Sequence, residues 1–253
     1  MGFLAGKIAI VTGAGQGVGR GIALALAEQG ASLMLAGRTL AKVEAVAAEI
    51  QAAGGTARAI LCDVKQPAQI EATVKATLDA YGGIDILVNN AQQVPLGSML
   101  DMSEAALIAG WESGPLADFR FMRACHPHLK ARGGGVIINL ATTASVRWDM
   151  KGYGGHGATK DAIRNFTRAA ASEWGPDNIG VIAIAPLAMS PGVEGWIRDY
   201  PDEAIPFLKT VPLQRVGRLK EDIGAFVAQL CGPDAKYLTG MTIPVDGGQA
   251  KMG

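Results

Sequence analysis

The chain contains 253 residues, of which 49% are hydrophobic, and its 23 basic and 23 acidic side chains give a formal net charge of zero. This balance argues against a nucleic-acid-binding surface and against electrostatic attraction to a membrane, and no apolar run approaches the ~18 residues of a spanning helix. The three cysteines are scattered, as in proteins of a reducing compartment. Because the N-terminus lacks the pattern of a signal peptide, we expect a cytoplasmic protein.

Short apolar runs alternate along the chain with helical stretches. Strands that are apolar on both faces, separated by helices, predict a parallel sheet covered by helices on both sides. No internal repeat or linker divides the chain, which predicts an α/β fold with a doubly wound, mostly parallel sheet in a single domain, 1–253. Residues 187–218, rich in proline and aromatics, are predicted to form a lid. The predicted strands are residues 7–12, 31–36, 56–62, 84–89, 136–140 and 179–185, and the first two helices run to residue 29 and over 40–53.

A glycine-rich turn, Thr-Gly-Ala-Gly-Gln-Gly-Val-Gly, joins the first strand to the first helix at residues 12–19. Glycines allow the backbone to approach a pyrophosphate closely, and a helix N-terminus supplies free N–H groups with partial positive charge. The spacing is T-G-x-x-x-G-x-G and not G-x-G-x-x-G. This placement favours dinucleotide binding over glycines that serve the turn alone.

The end of the second strand indicates which dinucleotide is bound. An acidic residue at this position binds the adenine ribose hydroxyls, whereas arginine favours a 2′-phosphate. Gly37 takes the acidic position and Arg38 follows. We therefore predict NADP(H) in preference to NAD(H), although Gln16 in the glycine-rich turn is not basic. The alternative is that Arg38 is an ordinary solvated side chain.

These motifs, with Asn-Asn-Ala-Gln at 89–92 and the C-terminal segment 237–248, resemble those of the classical short-chain dehydrogenases/reductases over nearly the whole chain. The resemblance implies a Rossmann-type, seven-stranded sheet and NADP(H)-dependent transfer of a hydride. It also implies a homo-oligomer, dimer or tetramer, formed through the helices that contain 116–129 and 158–174. The cofactor-binding residues it implies are Gly13, Gln16, Gly17, Val18, Gly19, Arg38, Asp63, Val64, Asn90, Lys160, Pro186, Leu187, Met189 and Ser190.

The family's chemistry uses four side chains, Asn, Ser, Tyr and Lys, and this sequence departs from that set. Lys160 is present, at the predicted start of a helix near residue 159, but His156 stands where the family has tyrosine. Histidine exchanges protons near neutral pH, and a neighbouring ammonium lowers its pKa, which favours either alcohol oxidation with His156 as the base or reduction through a bridging water. Two alternatives stay open: His156 fills space after loss of catalysis, or Tyr153 acts in its place.

The serine and asparagine positions are altered as well. Counting from Asn139 places Thr142 in the serine role, counting back from His156 places Thr143 there, and Ser145 is a third hydroxyl in the same segment. The asparagine position falls at Gly114, and the following proline predicts a kink within one helix. Gln92 replaces the last glycine of the family's N-N-A-G and is expected to alter the pocket.

The remaining features concern the substrate. Trp196, Tyr200 and Phe207 of the lid, with Trp148 and Gln93 across the cleft, predict an apolar or aromatic small molecule. No cluster of ligands predicts a metal. The leading hypothesis is an oxidoreductase that acts on a hydroxyl, carbonyl or imine carbon. The alternatives are an NADP-binding protein without redox turnover, motivated by the altered catalytic positions, and a lyase or dehalogenase-like derivative.

Overall fold

The computed structural model describes residues 2–147 and 149–250, so that Trp148 lies outside the described residues. Within these ranges seven strands form one sheet in the order β3-β2-β1-β4-β5-β6-β7. Every neighbouring pair is parallel, so the expectation of a mostly parallel sheet was too weak. The strands are β1 (Ile8–Thr12), β2 (Ser32–Gly37), β3 (Thr56–Leu61), β4 (Ile86–Asn89), β5 (Gly135–Leu140), β6 (Ile179–Pro186) and β7 (Thr242–Val245).

Helices cover both faces of the sheet, as parallel pairing requires. One apolar cluster packs α1, α2 and α9 on one face, and another packs α3, α5 and α6 on the opposite face. No helix of the described part is long and apolar enough to cross a membrane. The helices are α1 (Gly17–Glu28), α2 (Leu40–Ala52), α3 (Pro67–Tyr81), α4 (Glu104–Ser113), α5 (Pro115–Ala131), α6 (Gly154–Trp174), α7 (Pro191–Asp199), α8 (Pro201–Lys209) and α9 (Ala225–Leu230).

The predicted strands and the first two predicted helices are all present, and their ends differ by one or two residues. The strand predicted to begin at residue 84 begins at Ile86, and the strand predicted to end at residue 185 continues through Pro186. Such differences are expected because strand ends depend on the partner strand and not on local sequence alone.

Two helix predictions were wrong. The helix that carries Lys160 begins at Gly154, because Gly154 and Gly155 pack closely against Met99 and Met102 and lie within the first turn. The Gly114–Pro115 pair does not kink one helix but separates α4 from α5. Gly114 has φ −105° and ψ −101°, outside the helical region, and Pro115 starts the next helix, where its missing N–H is not needed.

The strand order reverses between the parallel neighbours β1 and β4: the connection after β1 leads to β2 on one side of the sheet, and the connection after β4 leads to β5 on the other side. In sheets of this kind ligands bind beyond the carboxyl ends of the strands at this point. A buried polar chain supports the edge there: Asn89 donates to Asn139 at 2.9 Å, and Asn139 donates to Thr167 of α6 at 2.9 Å. The sheet and α6 are thereby held in register beside the crevice.

Candidate active site

The glycine-rich turn follows β1 and is held by Asn90. Gly13 and Gly17 have φ of +65° and +56°, which side chains rarely adopt. The Asn90 side-chain amide donates to the carbonyls of Thr12 and Gly13, and the Asn90 backbone N–H donates to the Thr12 hydroxyl. A Cβ at Gly13 would lie 2.7 Å from Asn90 Nδ2, and one at Gly19 would lie 2.5 Å from the Gly13 carbonyl oxygen. The turn therefore has room for its backbone only.

The N-terminus of α1 is left open toward this turn. Gln16 occupies the N-cap position but makes no side-chain capping hydrogen bond, and no acidic residue lies in the first turn. The first N–H groups of a helix are unpaired unless a cap or ligand accepts from them, and they attract anions. The arrangement fits a pyrophosphate, because the open helix end and the glycine backbone converge on the same place.

A crevice of about 370 Å³ opens beyond the ends of β1, β2, β3 and β4. It is lined by nine of the predicted cofactor residues: Gly13, Gln16, Gly17, Val18, Arg38, Asp63, Val64, Asn90 and Ser190. Gly19 packs beneath the turn instead. Four predicted cofactor residues do not line the crevice: Pro186, Leu187, Met189 and Lys160. Its lining includes Gln92, Gln93 and Ser113, which were not predicted to bind the cofactor. A larger cavity of about 420 Å³ lies at the opposite end of the strands, far from these motifs.

Two cations lie near the end of the crevice that follows β2. Arg38 lines it, is exposed, and makes no hydrogen bond or ion pair with the rest of the described chain. Lys42 of α2 lies beside the turn: its Nζ donates to Gln16 Oε1 at 2.6 Å, and its Cβ would be 2.8 Å from a Cβ at Gly15. The sequence analysis missed Lys42, although its position in the first turn of the helix after Arg38 was a usable signal.

The loop after β6 uses most of its own N–H groups internally. The Leu187 N–H donates to Val245, the Met189 N–H donates to Gly217, and Ser190 caps α7 by accepting from Val193 at 3.4 Å. The N–H groups of Leu187 and Met189 are therefore not free for a bound group, and the Leu187 carbonyl already accepts from the Gly217 N–H.

His156 is buried in the first turn of α6, 8% exposed, with its ring 6.2 Å from that of Tyr153. Its Nδ1 has no hydrogen-bond partner in the described part of the chain. Burial, together with the positive charge of Lys160, lowers the pKa of His156 to about 3. The imidazole is therefore neutral at physiological pH and can accept a proton but not give one.

Lys160 lies one helical turn beyond His156 and is 6% exposed. Its Nζ donates to the carbonyl of Leu140 at the end of β5. Burial lowers the pKa of Lys160 to about 8, and Asp118 of α5 opposes this shift. Asp118 is itself 4% exposed, and burial raises the pKa of its carboxyl well above the usual value. The sequence analysis missed Asp118; an acid among the apolar residues of α5 was the available signal.

The three candidate hydroxyls occupy a short turn between β5 and α6 and have different surroundings. Thr142 Oγ1 accepts from the Ala144 N–H at 3.2 Å and caps the turn, and Ser145 donates to the Thr142 carbonyl at 3.2 Å. Thr143 is 6% exposed and makes no side-chain hydrogen bond within the described residues. Of the three, Thr143 keeps its hydroxyl available.

Gln92 reaches from the end of β4 to α6. Its Nε2 donates to Thr159 Oγ1 at 2.9 Å, and Thr159 donates to the His156 carbonyl at 2.8 Å. The crevice is thus joined to the turn that carries His156 and Lys160 through the Gln92 side chain. The Gln92 side chain, which was expected to intrude on the pocket, lies against Gly114. A Cβ built at Gly114 would be 2.7 Å from Gln92 Nε2.

Several lid aromatics contact each other. The rings of Trp196 and Phe207 lie 5.3 Å apart and perpendicular, and the Arg147 guanidinium lies 5.6 Å from the Phe207 ring. Tyr200 is 57% exposed. No group of three metal-ligating side chains occurs among residues 2–147 and 149–250, and the absence of a metal stays a prediction.

The pKa of His156 makes the stability of the protein depend on pH. Between about 6.5, its value in the unfolded chain, and about 3, the unfolded state binds the proton and the folded state does not, so stability falls as pH falls. At pH 5 this one group should cost about 2 kcal/mol. Urea unfolding at pH 7 and pH 5 should show wild type losing about 2 kcal/mol more than His156→Gln. Equal losses in the two proteins would contradict the burial effect.

A parallel, doubly wound sheet with an open glycine turn at its switch point defines a dinucleotide-binding protein of the Rossmann type. A family model described as enoyl-(acyl carrier protein) reductase matches residues 13–250. The chain belongs to the short-chain dehydrogenase/reductase family and is an oxidoreductase of that type.

Three similar proteins are informative, two of them through the ligands in their structures. The chain is 37% identical to a 12α-hydroxysteroid dehydrogenase of Clostridium sp. over 99% of both chains. It resembles the structure of a 7α-hydroxysteroid dehydrogenase in complex with NADH and 7-oxo glycochenodeoxycholic acid, with TM-score 0.92, 30% identity, and coverage of 98% and 96%. A structure from Beutenbergia cavernae, with TM-score 0.91, 30% identity and coverage of 98% and 99%, contains NADP at low occupancy.

Proposed function

We propose that this protein is an NADP(H)-dependent oxidoreductase that oxidises a secondary hydroxyl group on an apolar small molecule, with a hydroxysteroid as the favoured class. The observation that carries the proposal is the continuous path from the open N-terminus of α1 to the buried pair His156 and Lys160. Gln92 forms the link, since it lines the crevice and bonds Thr159 between these two residues.

The bound nicotinamide supplies the hydride acceptor, and the protein supplies the proton acceptor. His156 is neutral at physiological pH and takes the hydroxyl proton on its free ring nitrogen as the hydride leaves. The Lys160 ammonium, held by the Leu140 carbonyl, stabilises negative charge that develops on the substrate oxygen. The Thr143 hydroxyl is placed to orient that oxygen, in the role the family gives to serine. His156 therefore replaces the family's tyrosine as the base.

The apolar character of the substrate is supported by the rim of the site. The loop after β4 exposes Val94, Leu96, Met99 and Leu100, the last at 97%. This loop packs on the start of α6, since a Cβ at Gly154 would lie 3.0 Å from Met99 Sδ. An exposed apolar surface beside a polar catalytic turn is typical of a binding site for a hydrophobic ligand. With residues 187–218 as the lid, it would enclose a rigid ring system.

The preference for NADP(H) is supported by Arg38, whose side chain has no partner among the described residues, and by Lys42, which contacts Gln16 of the glycine-rich turn. Two cations at the adenine end favour a ribose phosphate, and hydrogen bonds to charged groups contribute about 1.5–3 kcal/mol each. Arg38→Ala should therefore raise the Kd of NADPH by about 10- to 100-fold and leave that of NADH nearly unchanged. Fluorescence titration measures both constants, with the exposed Lys75→Ala of α3 as a charge-matched control. An equal loss for both cofactors would show that Arg38 does not recognise the phosphate.

The proposed reaction is tested by incubating the purified protein with NADP⁺ and a panel of hydroxysteroids and simple alcohols, and by following the absorbance of the reduced nicotinamide. Turnover that is faster with hydroxysteroids than with short alcohols would support the proposal. Tight NADPH binding without turnover on alcohols, ketones or imines would instead identify a binding protein.

A further inference from the structure

Gly114 and Gln92 compete for the same space. A Cβ built at Gly114 lies 2.7 Å from Gln92 Nε2 and 3.0 Å from Gln92 Cδ, closer than real side chains approach. Any side chain at 114 would displace the glutamine. In the family pattern the large side chain stands at the asparagine position and the small residue at the end of N-N-A-G; here the two are exchanged. The large side chain at this place therefore comes from the end of β4 and not from the junction between α4 and α5.

The Gln92 amide also makes a polar connection to α6. Its Nε2 donates to Thr159, which is fully buried, and Thr159 donates to the carbonyl of His156. Its Oε1 is buried without a hydrogen-bond partner in the described ranges, and such an orphan acceptor normally bonds a water or a ligand. The Gln92 amide thus links the first turn of α6 to the end of β4 through Thr159, and its Oε1 stays available to accept a hydrogen bond in the site.

We propose that Gln92 is a positioning residue that takes over the space and the amide of the missing asparagine, and that it holds the α6 turn carrying His156 and Lys160. The proposal rests on the proposed oxidoreductase function, because positioning matters only if those two residues act on a substrate. Its steric part, the exchange between positions 92 and 114, is independent of turnover.

The exchange is tested by thermal unfolding of Gln92→Gly, Gly114→Asn and the double variant. Each single change should lower Tm by about 4–8 °C, the first by leaving a cavity and removing the hydrogen bond from Gln92 to Thr159 and the second by overpacking. The double variant should lose at least about 4 °C less than the sum, because each change removes the fault created by the other. Additive losses would overturn the proposal whether or not the protein turns over substrate.

The positioning role is tested with Gln92→Glu, which keeps the shape but removes the N–H donor to Thr159. We expect kcat for alcohol oxidation to fall about tenfold with KM for the alcohol within twofold, and the pH profile of kcat to move to higher pH, because the new carboxylate favours protonated Lys160. Gln51→Glu, which removes a similar amide donor to Ala57, should change none of these. Unchanged kcat and pH profile in an active enzyme would refute the positioning role. Absence of turnover in wild type would count against the reaction instead.

Discussion

Replacement of His156 by phenylalanine should lower kcat for NADP⁺-dependent alcohol oxidation by about 10²- to 10⁴-fold, the usual contribution of a positioned general base. The reason is that the neutral imidazole in the first turn of α6 has a buried Nδ1 with no hydrogen-bond partner among residues 2–147 and 149–250, which leaves this nitrogen free to accept a proton. Phenylalanine fills the same space but accepts no proton. The Kd of NADPH should change little, because His156 does not line the crevice.

Steady-state kinetics and cofactor titration of the purified variants separate these effects. His128→Phe is the matched control, since His128 lies in the last turn of α5, at the far end of the strands from the crevice. Tyr153→Phe tests the competing base, whose ring is 6.2 Å from the imidazole. If Tyr153→Phe abolishes turnover and His156→Phe does not, tyrosine is the base and our assignment is wrong.

Gly19→Ala should be among the most damaging single-methyl changes in the chain. The added Cβ would lie 2.4 Å from Asn90 Nδ2 and 2.5 Å from the Gly13 carbonyl oxygen. Neither atom can retreat cheaply, because Asn90 is itself bonded to the carbonyls of Thr12 and Gly13. We expect a loss of about 3 kcal/mol in the free energy of unfolding and a rise of at least about tenfold in the Kd of NADPH.

Chemical denaturation and cofactor titration measure the two losses. Gly175→Ala is the matched control: Gly175 has helical φ −53° and ψ −42°, and nothing lies within 4 Å of its added Cβ. That variant should be as stable as wild type or slightly more so, because alanine reduces the freedom of the unfolded chain. Wild-type stability and affinity in Gly19→Ala would mean that the glycine turn is not packed as described.

Local sequence carries only part of the information that determines this structure. The strands and most helices followed from apolar runs and periodicity, because each depends on residues near in the chain. The helix ends at Gly114 and Gly154 did not, since they depend on Gln92 and on Met99 and Met102, which approach from elsewhere. A proline predicted an interruption, but only packing decided between a kink and a break.

By itself, then, the amino-acid sequence determined the parallel α/β architecture, the glycine turn and the arginine that follows β2, because each is written in adjacent residues. Tertiary structure alone decided that Lys42 stands beside Gln16, that Asp118 approaches Lys160, and that Gln92 fills the space above Gly114. It also decided the protonation state of His156, since desolvation depends on everything packed around the ring. Such properties arise from distances between residues that are remote in the chain.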